Sequence, residues 1–172
     1  RLVDLGENGV GCFWSESRSF ISGFDVFFQA IDADGNIQLV QGGISVAESN
    51  GDDYVKDIVP TPDGNYLIFW VEEIWPASRL KFNKITPNGT VAIGWPPSGH
   101  SLSDQSLEAN DISVKKISDS DGVLAVWNQD GNFSDVYAQK ISWDGEAQWT
   151  DFGVPISTED NDQSSISFDV DS

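Results

Sequence analysis

The chain has one cysteine, Cys12, one histidine, His100, and no methionine. A lone cysteine closes no internal disulfide, which excludes a cysteine-stapled module. A lone imidazole, with no cysteine cluster and no recurring acid beside it, leaves a zinc site or a Ser-His-Asp triad without its parts, so His100 reads as a solvated loop residue and no cofactor is expected. Basic residues are scarce: 9 Lys plus Arg stand against 28 Asp plus Glu, for a formal charge of -19. Such a surface repels a phosphate backbone or an anionic membrane, so nucleic acid is not an expected partner. Long apolar runs are also missing. The longest, Tyr66 to Val71, has six residues, far short of the roughly 20 a helix needs to cross a bilayer, so no membrane insertion is expected. No stretch keeps a helical period. The chain opens at Arg1 without an initiator methionine, a basic n-region or an apolar h-region. That reads as an excerpt of a longer chain, with any signal peptide outside it.

What is present is a folding composition, 172 residues of which 39% are hydrophobic and 12% aromatic, enough for a domain with a real core. Its order is repetitive. The stretch DVYAQKISWDG, Asp135 to Gly145, has weaker copies in FDVFFQAIDADG, Phe24 to Gly35, and RLKFNKITPNG, Arg79 to Gly89. Gly35, Gly89 and Gly145 are spaced by 54 and 56 residues, and Trp14, Trp70 and Trp127, each ending an apolar run, by 56 and 57.

Each repeat predicts two hairpins. The first joins Arg1–Leu5 to Val10–Trp14, Asp57–Val59 to Tyr66–Trp70, and Asp111–Val114 to Val123–Trp127, across Asn-Gly or Asp-Gly turns, a strong short-range hairpin signal. A variable polar link follows: Ser15 to Gly23, Val71 to Ser78, and Asn128 to Ser134. The second hairpin joins Phe27–Ile31, Lys81–Ile85 and Tyr137–Ile141 to Asn36–Leu39, Thr90–Ile93 and Glu146–Trp149. A longer link then carries a recurring Gly-x-x-apolar: Gly43 to Val46, Gly99 to Leu102, and Gly153 to Ile156.

Four short strands, two tight turns and a long crossover per repeat describe a β-propeller blade. The runs Leu67–Trp70 and Val123–Trp127, apolar on both faces, suit an inner strand covered by neighbouring blades. The expected fold class is therefore all-β, with three four-stranded antiparallel blades at about 1–52, 53–107 and 108–163 and the first strand of a fourth at about 164–172. Three blades do not close a ring of the usual four to eight. Further blades of the same chain or another subunit are the first expected partners.

The consensus D-[IV]-[YF]-x-Q-x-[IL]-x-x-[DN]-G, followed by W-x-x-x-G-x-x-[IV] and later by Asp-Gly and an apolar run ending in Trp, resembles the repeats of large secreted and cell-surface propeller proteins of Bacteroidetes and related bacteria. Many of these proteins are type IX secretion substrates. The third repeat, DVYAQKISWDGEAQWTDFGVPI, Asp135 to Ile156, carries the resemblance best; the middle one departs, with Arg79-Leu80-Lys81 for Asp-Val-Tyr and Asn83 for Gln. The resemblance implies the fold and a secreted or cell-surface location; the family is defined by its repeat and not by an activity.

Among candidate sites, Asp32, Asp34 and Asn36 alternate like the start of a calcium loop, but Gly43 stands where that loop needs a bidentate glutamate, so a hairpin turn is the stronger reading. Asp119 and Asp121 in SDSDG read the same way. Phe20, Trp75 and Phe133 sit in the variable links near Glu16, Glu72, Glu73 and Asp130, where they either pack over the adjacent blade or line one rim as sugar-binding aromatics do. Trp14, Trp70 and Trp127 read as core, and Cys12, aligned with Ile68 and Ala125, as a small buried hydrophobe. The acids are too numerous for any glycosidase pair to stand out, and the sequons at Asn88 and Asn132 matter only in eukaryotic secretion. The functional expectation is a non-catalytic extracellular or cell-surface segment, a scaffold or a protein- or glycan-binding module. The alternatives are a lectin-like propeller and an accessory domain of a larger secreted hydrolase.

Overall fold

Among the described residues twelve strands form in chain order: β1 (Leu2–Asp4), β2 (Val10–Ser19), β3 (Gly23–Ile31), β4 (Ile44–Ala47), β5 (Asp52–Pro60), β6 (Tyr66–Ile74), β7 (Ala77–Ile85), β8 (His100–Ser101), β9 (Glu108–Ser118), β10 (Gly122–Asp130), β11 (Ser134–Ile141) and β12 (Val154–Ser157). The structure, a computed structural model, describes residues 1–5, 9–19, 23–104, 106–118, 121–164 and 166–170. The strands make three four-stranded antiparallel sheets, each paired in sequence order, and the described residues contain no helix. In each sheet the tryptophan ending the apolar run lies opposite the residue at one fixed repeat position: Trp14 opposite Phe27, Trp70 opposite Lys81 and Trp127 opposite Tyr137.

The links and the outer strands differ from the sequence expectation. The variable links are mostly strand, because β6 and β7 stay paired out to Ile74 and Ala77 and leave Trp75-Pro76 alone as the connection. Ion pairing helps to hold that extension, since Arg79 lies opposite Glu72, 3.7 Å from its carboxylate. The fourth strand is also not the segment after the Asp-Gly or Asn-Gly turn. Those segments make only single bridges, Ile31 to Ile37, Ile85 to Val91 and Ile141 to Ala147. The chain then bulges out and returns at the Gly-x-x-apolar segment as β4, β8 or β12.

The repeat's amide position explains the bulge. Gln29 donates to the Val40 carbonyl at 2.9 Å and accepts the Leu39 N–H at 3.0 Å, while Gln139 donates to the Thr150 carbonyl at 2.8 Å and accepts the Trp149 N–H at 3.0 Å. Asn83, one methylene shorter, keeps the donor half, to the Pro96 carbonyl at 2.9 Å. All three amides are buried, so the loop's backbone groups are satisfied without a sheet partner. The bulge ends on a glycine held against the repeat's tryptophan. A β-carbon built on Gly43, Gly99 or Gly153 falls 2.6, 2.4 or 2.5 Å from the indole Cη2 of Trp14, Trp70 or Trp127, at positive φ in every case. Only glycine satisfies both conditions.

The sheets stack through two apolar layers. Phe13 and Phe28, 4.4 Å apart and stacked, meet Tyr66 of the second sheet, in a layer completed by Val3, Val26, Ile68, Trp70 and Ile85. The opposite face of the second sheet, with Leu67, Phe69, Leu80 and Phe82, packs on Val114, Val123, Ala125, Trp127 and Ile141 of the third. The second sheet's β6 is thus covered on both sides, as its two-faced apolar run requires. Each full burial of such a side chain contributes roughly 1.5–3 kcal/mol.

The same two faces meet at both junctions: the tryptophan face of one sheet lies against the other face of the sheet before it. Among the described residues no sheet lies against the tryptophan face of the first sheet, and that face is open. Leu2 is 74% exposed where the equivalent Val114 is 6%, and Val10 is 39% exposed where Tyr66 and Val123 are 6% and 0%. Cys12 and Trp14 are therefore only half-buried, where full burial was expected, and the Arg18 guanidinium, 3.6 Å from the ring centroid, covers Phe27 in place of a sheet.

Beyond the third sheet the chain departs as it does between sheets. Asp52 accepts the Phe24 N–H at 2.8 Å where the chain enters the second sheet, and Asp162 accepts the Ser134 N–H at 3.1 Å at the equivalent place after β12. The strand expected at about 164–172 does not form among the described residues. Ile166, Phe168 and Val170 are nevertheless half-buried, alternating with exposed Ser167 and Asp169, the period of a strand with one face covered.

Candidate functional site

The β6–β7 and β10–β11 links, the start of β3 and the crossovers between sheets lie at one end of the stack. Their proximity is direct: a β-carbon on Gly23 falls 2.3 Å from the Asp52 carboxylate, and one on Gly51 falls 2.1 Å from the Glu73 carbonyl. Three cavities open on this rim. The first, about 380 Å³, lies between the second and third sheets and is lined by Asp52, Glu73, Trp75, Pro76, Ser78, Glu108 and Asn110. Trp75, at the tip of the two-residue link, is 92% exposed. It packs over no neighbouring sheet, so of the two expectations for this residue the covering one fails. Ser78 beneath it bridges the sheets, its hydroxyl donating to the Ala109 carbonyl at 3.2 Å and accepting the Ala109 N–H at 3.1 Å.

A second cavity, about 420 Å³, lies beside β10 and β11 and holds Phe133 with Asn110, Asp111, Asn128, Asp130 and Asp162. Phe133 is exposed as well. Phe20, the third expected rim aromatic, lies outside the described residues. Of the acids expected on the rim, Glu73 and Asp130 line these two cavities, while Glu16 is taken up by Trp14 Nε1 at 2.9 Å and Arg18 at 2.8 Å. An aromatic pair that sequence reasoning passed over, Phe24 and Tyr54, joins the first and second sheets at this end, with ring centroids 5.3 Å apart. Phe24 occupies the repeat position of Ser78 and Ser134, which masks it in an alignment of the repeats.

The third cavity, about 270 Å³, lies between the first and second sheets and is lined by Ser49, Asn50, Asp53, Trp70, Glu72, Arg79 and Lys81, among others. Asp53 is fully buried. Burial, with the Glu72 charge adding to it, pushes its pKa up to about 7, although the nearby Ser49 hydroxyl and Trp70 indole pull it partly back. Glu72 is held by Lys81 at 3.3 Å and Arg79 at 3.7 Å. Sequence reasoning noted Arg79 and Lys81 only as departures from the repeat, and it passed over Asp53 because acids are common in this chain.

At the opposite end, Asp32 caps its own turn. Its carboxylate accepts the Asp34 and Asn36 backbone N–H groups at 3.0 and 2.8 Å and the Gln38 amide at 2.8 Å. The Asn36 hydrogen bonds, backbone first, hold its pKa below the ordinary aspartate value. The carboxylate is thus spent on the hairpin. Asp119 lies outside the described residues, and Asp121 sits 3.9 Å from Lys140. Among the described residues no group of three or more His, Cys, Asp or Glu side chains is placed to hold a metal ion. His100 is in β8 and not a solvated loop. It stacks on Phe82 at 5.3 Å and meets Trp95 edge-on, and burial lowers its pKa while Glu146 acts in the other direction. No helix among the described residues is long and apolar enough to cross a membrane.

Compared with family models, curated proteins and solved structures, the chain matches none of them.

Proposed function

We infer that the three sheets are consecutive blades of a β-propeller and that the chain is a non-catalytic extracellular or cell-surface binding module whose ligand docks on the rim formed by the links. The propeller reading is supported by the repeated face-to-face junction, by the approach of β1 to β5 and of β5 to β9, and by the open tryptophan face of the first sheet, which asks for one more like neighbour. Further blades of the same chain or another subunit would supply it. A crystal structure in which the first strands converge on one axis supports this; sheets stacked flat, without a common axis, overturn it.

The binding reading is carried by Trp75. An indole standing almost wholly in solvent beside carboxylates and an amide presents a flat apolar face next to hydrogen-bonding groups, the combination that receives a sugar ring. Acidic character suits a soluble extracellular life and discourages adhesion to anionic polymers. The test is retention on a glycan array by the folded chain and by Trp75→Ala. Specific retention that the substitution abolishes is the expected result. No retention on any glycan, or retention indifferent to the substitution, removes Trp75 from the role.

A further inference from the structure

The second repeat departs from the plan of the other two at the cavity between the first and second sheets. In the first repeat the Trp14 indole N–H donates to Glu16 at 2.9 Å, and in the third the Trp127 indole N–H donates to Gln129 at 3.1 Å. The matching acceptor in the second repeat, Glu72, is drawn off to Lys81 and Arg79. Trp70 Nε1 is buried and completes no hydrogen bond, and neither does Arg79 Nε. Register sets Asp53 opposite Glu72 as it sets Ala109 opposite Gln129, so a carboxyl stands where the third sheet has a methyl group. Asp53 is 0% exposed, and neither of its oxygens completes a hydrogen bond, near as Ser49 and Trp70 are. Buried polar atoms without partners are costly and uncommon, and here donors and acceptors gather around one space of about 270 Å³.

We propose that this cavity binds a neutral, hydroxyl-rich ligand about the size of one sugar unit. The chemistry follows from the orphaned atoms. An anion meets Glu72 and Glu48 in the wall, and a cation has to compete with Lys81 and Arg79, which already neutralise Glu72. A hydroxyl group donates and accepts through the same oxygen. Adjacent hydroxyls can therefore donate to Asp53 while accepting from Trp70 Nε1 and Arg79 Nε, with no net charge brought into the cleft. This site is separate from Trp75 and does not rest on it.

The experiment follows the Trp70 indole cross-peak in nitrogen-15 correlation spectra of the folded chain, titrated separately with glucose, galactose, fucose, N-acetylglucosamine and glycerol. Saturable movement with at least one sugar is expected. Asp53→Ala, which installs the residue that the third sheet carries at the same position, should fold and weaken that binding by about tenfold, the loss of a strong hydrogen bond. Trp75→Ala should leave it unchanged, which separates this site from the rim aromatic. The proposal is overturned if no sugar moves the peak, if Asp53→Ala binds as the parent does, or if sodium acetate or ammonium chloride saturates the site in place of the sugars.

Discussion

Replacing Asp53 with asparagine should make the protein more stable at alkaline pH than at acid pH, relative to the parent. Asp53 titrates at about 7 in the folded chain against an ordinary 3.8. The folded state therefore holds its proton more tightly than the unfolded chain does. Below about pH 4 both states keep the proton and the residue has no pH-dependent effect. Between about pH 4 and 7 the unfolded chain ionises first, and stability falls by up to about 1.4 kcal/mol per pH unit; above about pH 7 the loss is complete. A gap of that width between the folded and unfolded chains sets a ceiling of roughly 4 kcal/mol, and relaxation around a cleft open to solvent brings the expectation to roughly 2 kcal/mol. Asparagine keeps the shape but cannot ionise. Urea denaturation followed by tryptophan fluorescence should show the stability difference between the variant and the parent widening by roughly that amount from about pH 4 to about pH 8. Using this difference cancels the many other carboxylates. A difference constant across that range refutes the assignment of a buried, proton-holding carboxyl.

Further outcomes follow from the repeat's locks. Gly99→Ala should cost about 2 kcal/mol or more, because its β-carbon falls 2.4 Å from Trp70 and 2.9 Å from the Phe82 carbonyl, whereas Gly64→Ala, at similar φ with nothing within 4 Å, should cost only about 1 kcal/mol; thermal melts of the pair separate clash from backbone strain. Gln139→Ala should cost about 2 kcal/mol by stranding the Trp149 N–H and the Thr150 carbonyl, and hydrogen exchange should show β12 opening ahead of β10. Trp75→Ala should change stability by no more than about 0.5 kcal/mol, since the ring touches little, while abolishing any glycan retention.

The sheets were legible in the sequence because a repeat with steps of 54 to 57 residues displays each element three times, so the Asp-Gly and Asn-Gly hairpins and the tryptophan-ended strands stand out above local noise. The outer strand was misplaced for a definite reason. Asn36–Leu39 looks like the return strand after its turn, but the buried amide of Gln29 claims its backbone, and pairing resumes only at Ile44. The glutamine was visible as part of the consensus; its reach of ten to eleven residues along the chain was not. The exposure of Trp75 was equally hidden, since an aromatic in a link reads the same whether it packs or stands free. Half-burial of Trp14 could not be read locally at all, because it depends on whether another sheet covers that face.

A repeat protein supplies its own control for each position. Where all three copies agree, as at the tryptophan, the amide and the glycine against the indole, the agreement is explained by packing and satisfied backbone groups, and no function need be invoked. Where one copy departs at an exposed position, drift explains it at little energetic cost. The second repeat departs at buried positions and in a costly direction, with a carboxyl for a methyl group and an indole N–H deprived of the acceptor its two counterparts keep. Lys81 and Arg79 do not repair this: they satisfy Glu72, the partner already present, while Asp53, close to the Trp70 indole and the Ser49 hydroxyl, completes a hydrogen bond with neither. A bound molecule that completes the hydrogen bonds left open at Asp53, Trp70 and Arg79 accounts for both halves of the departure at once.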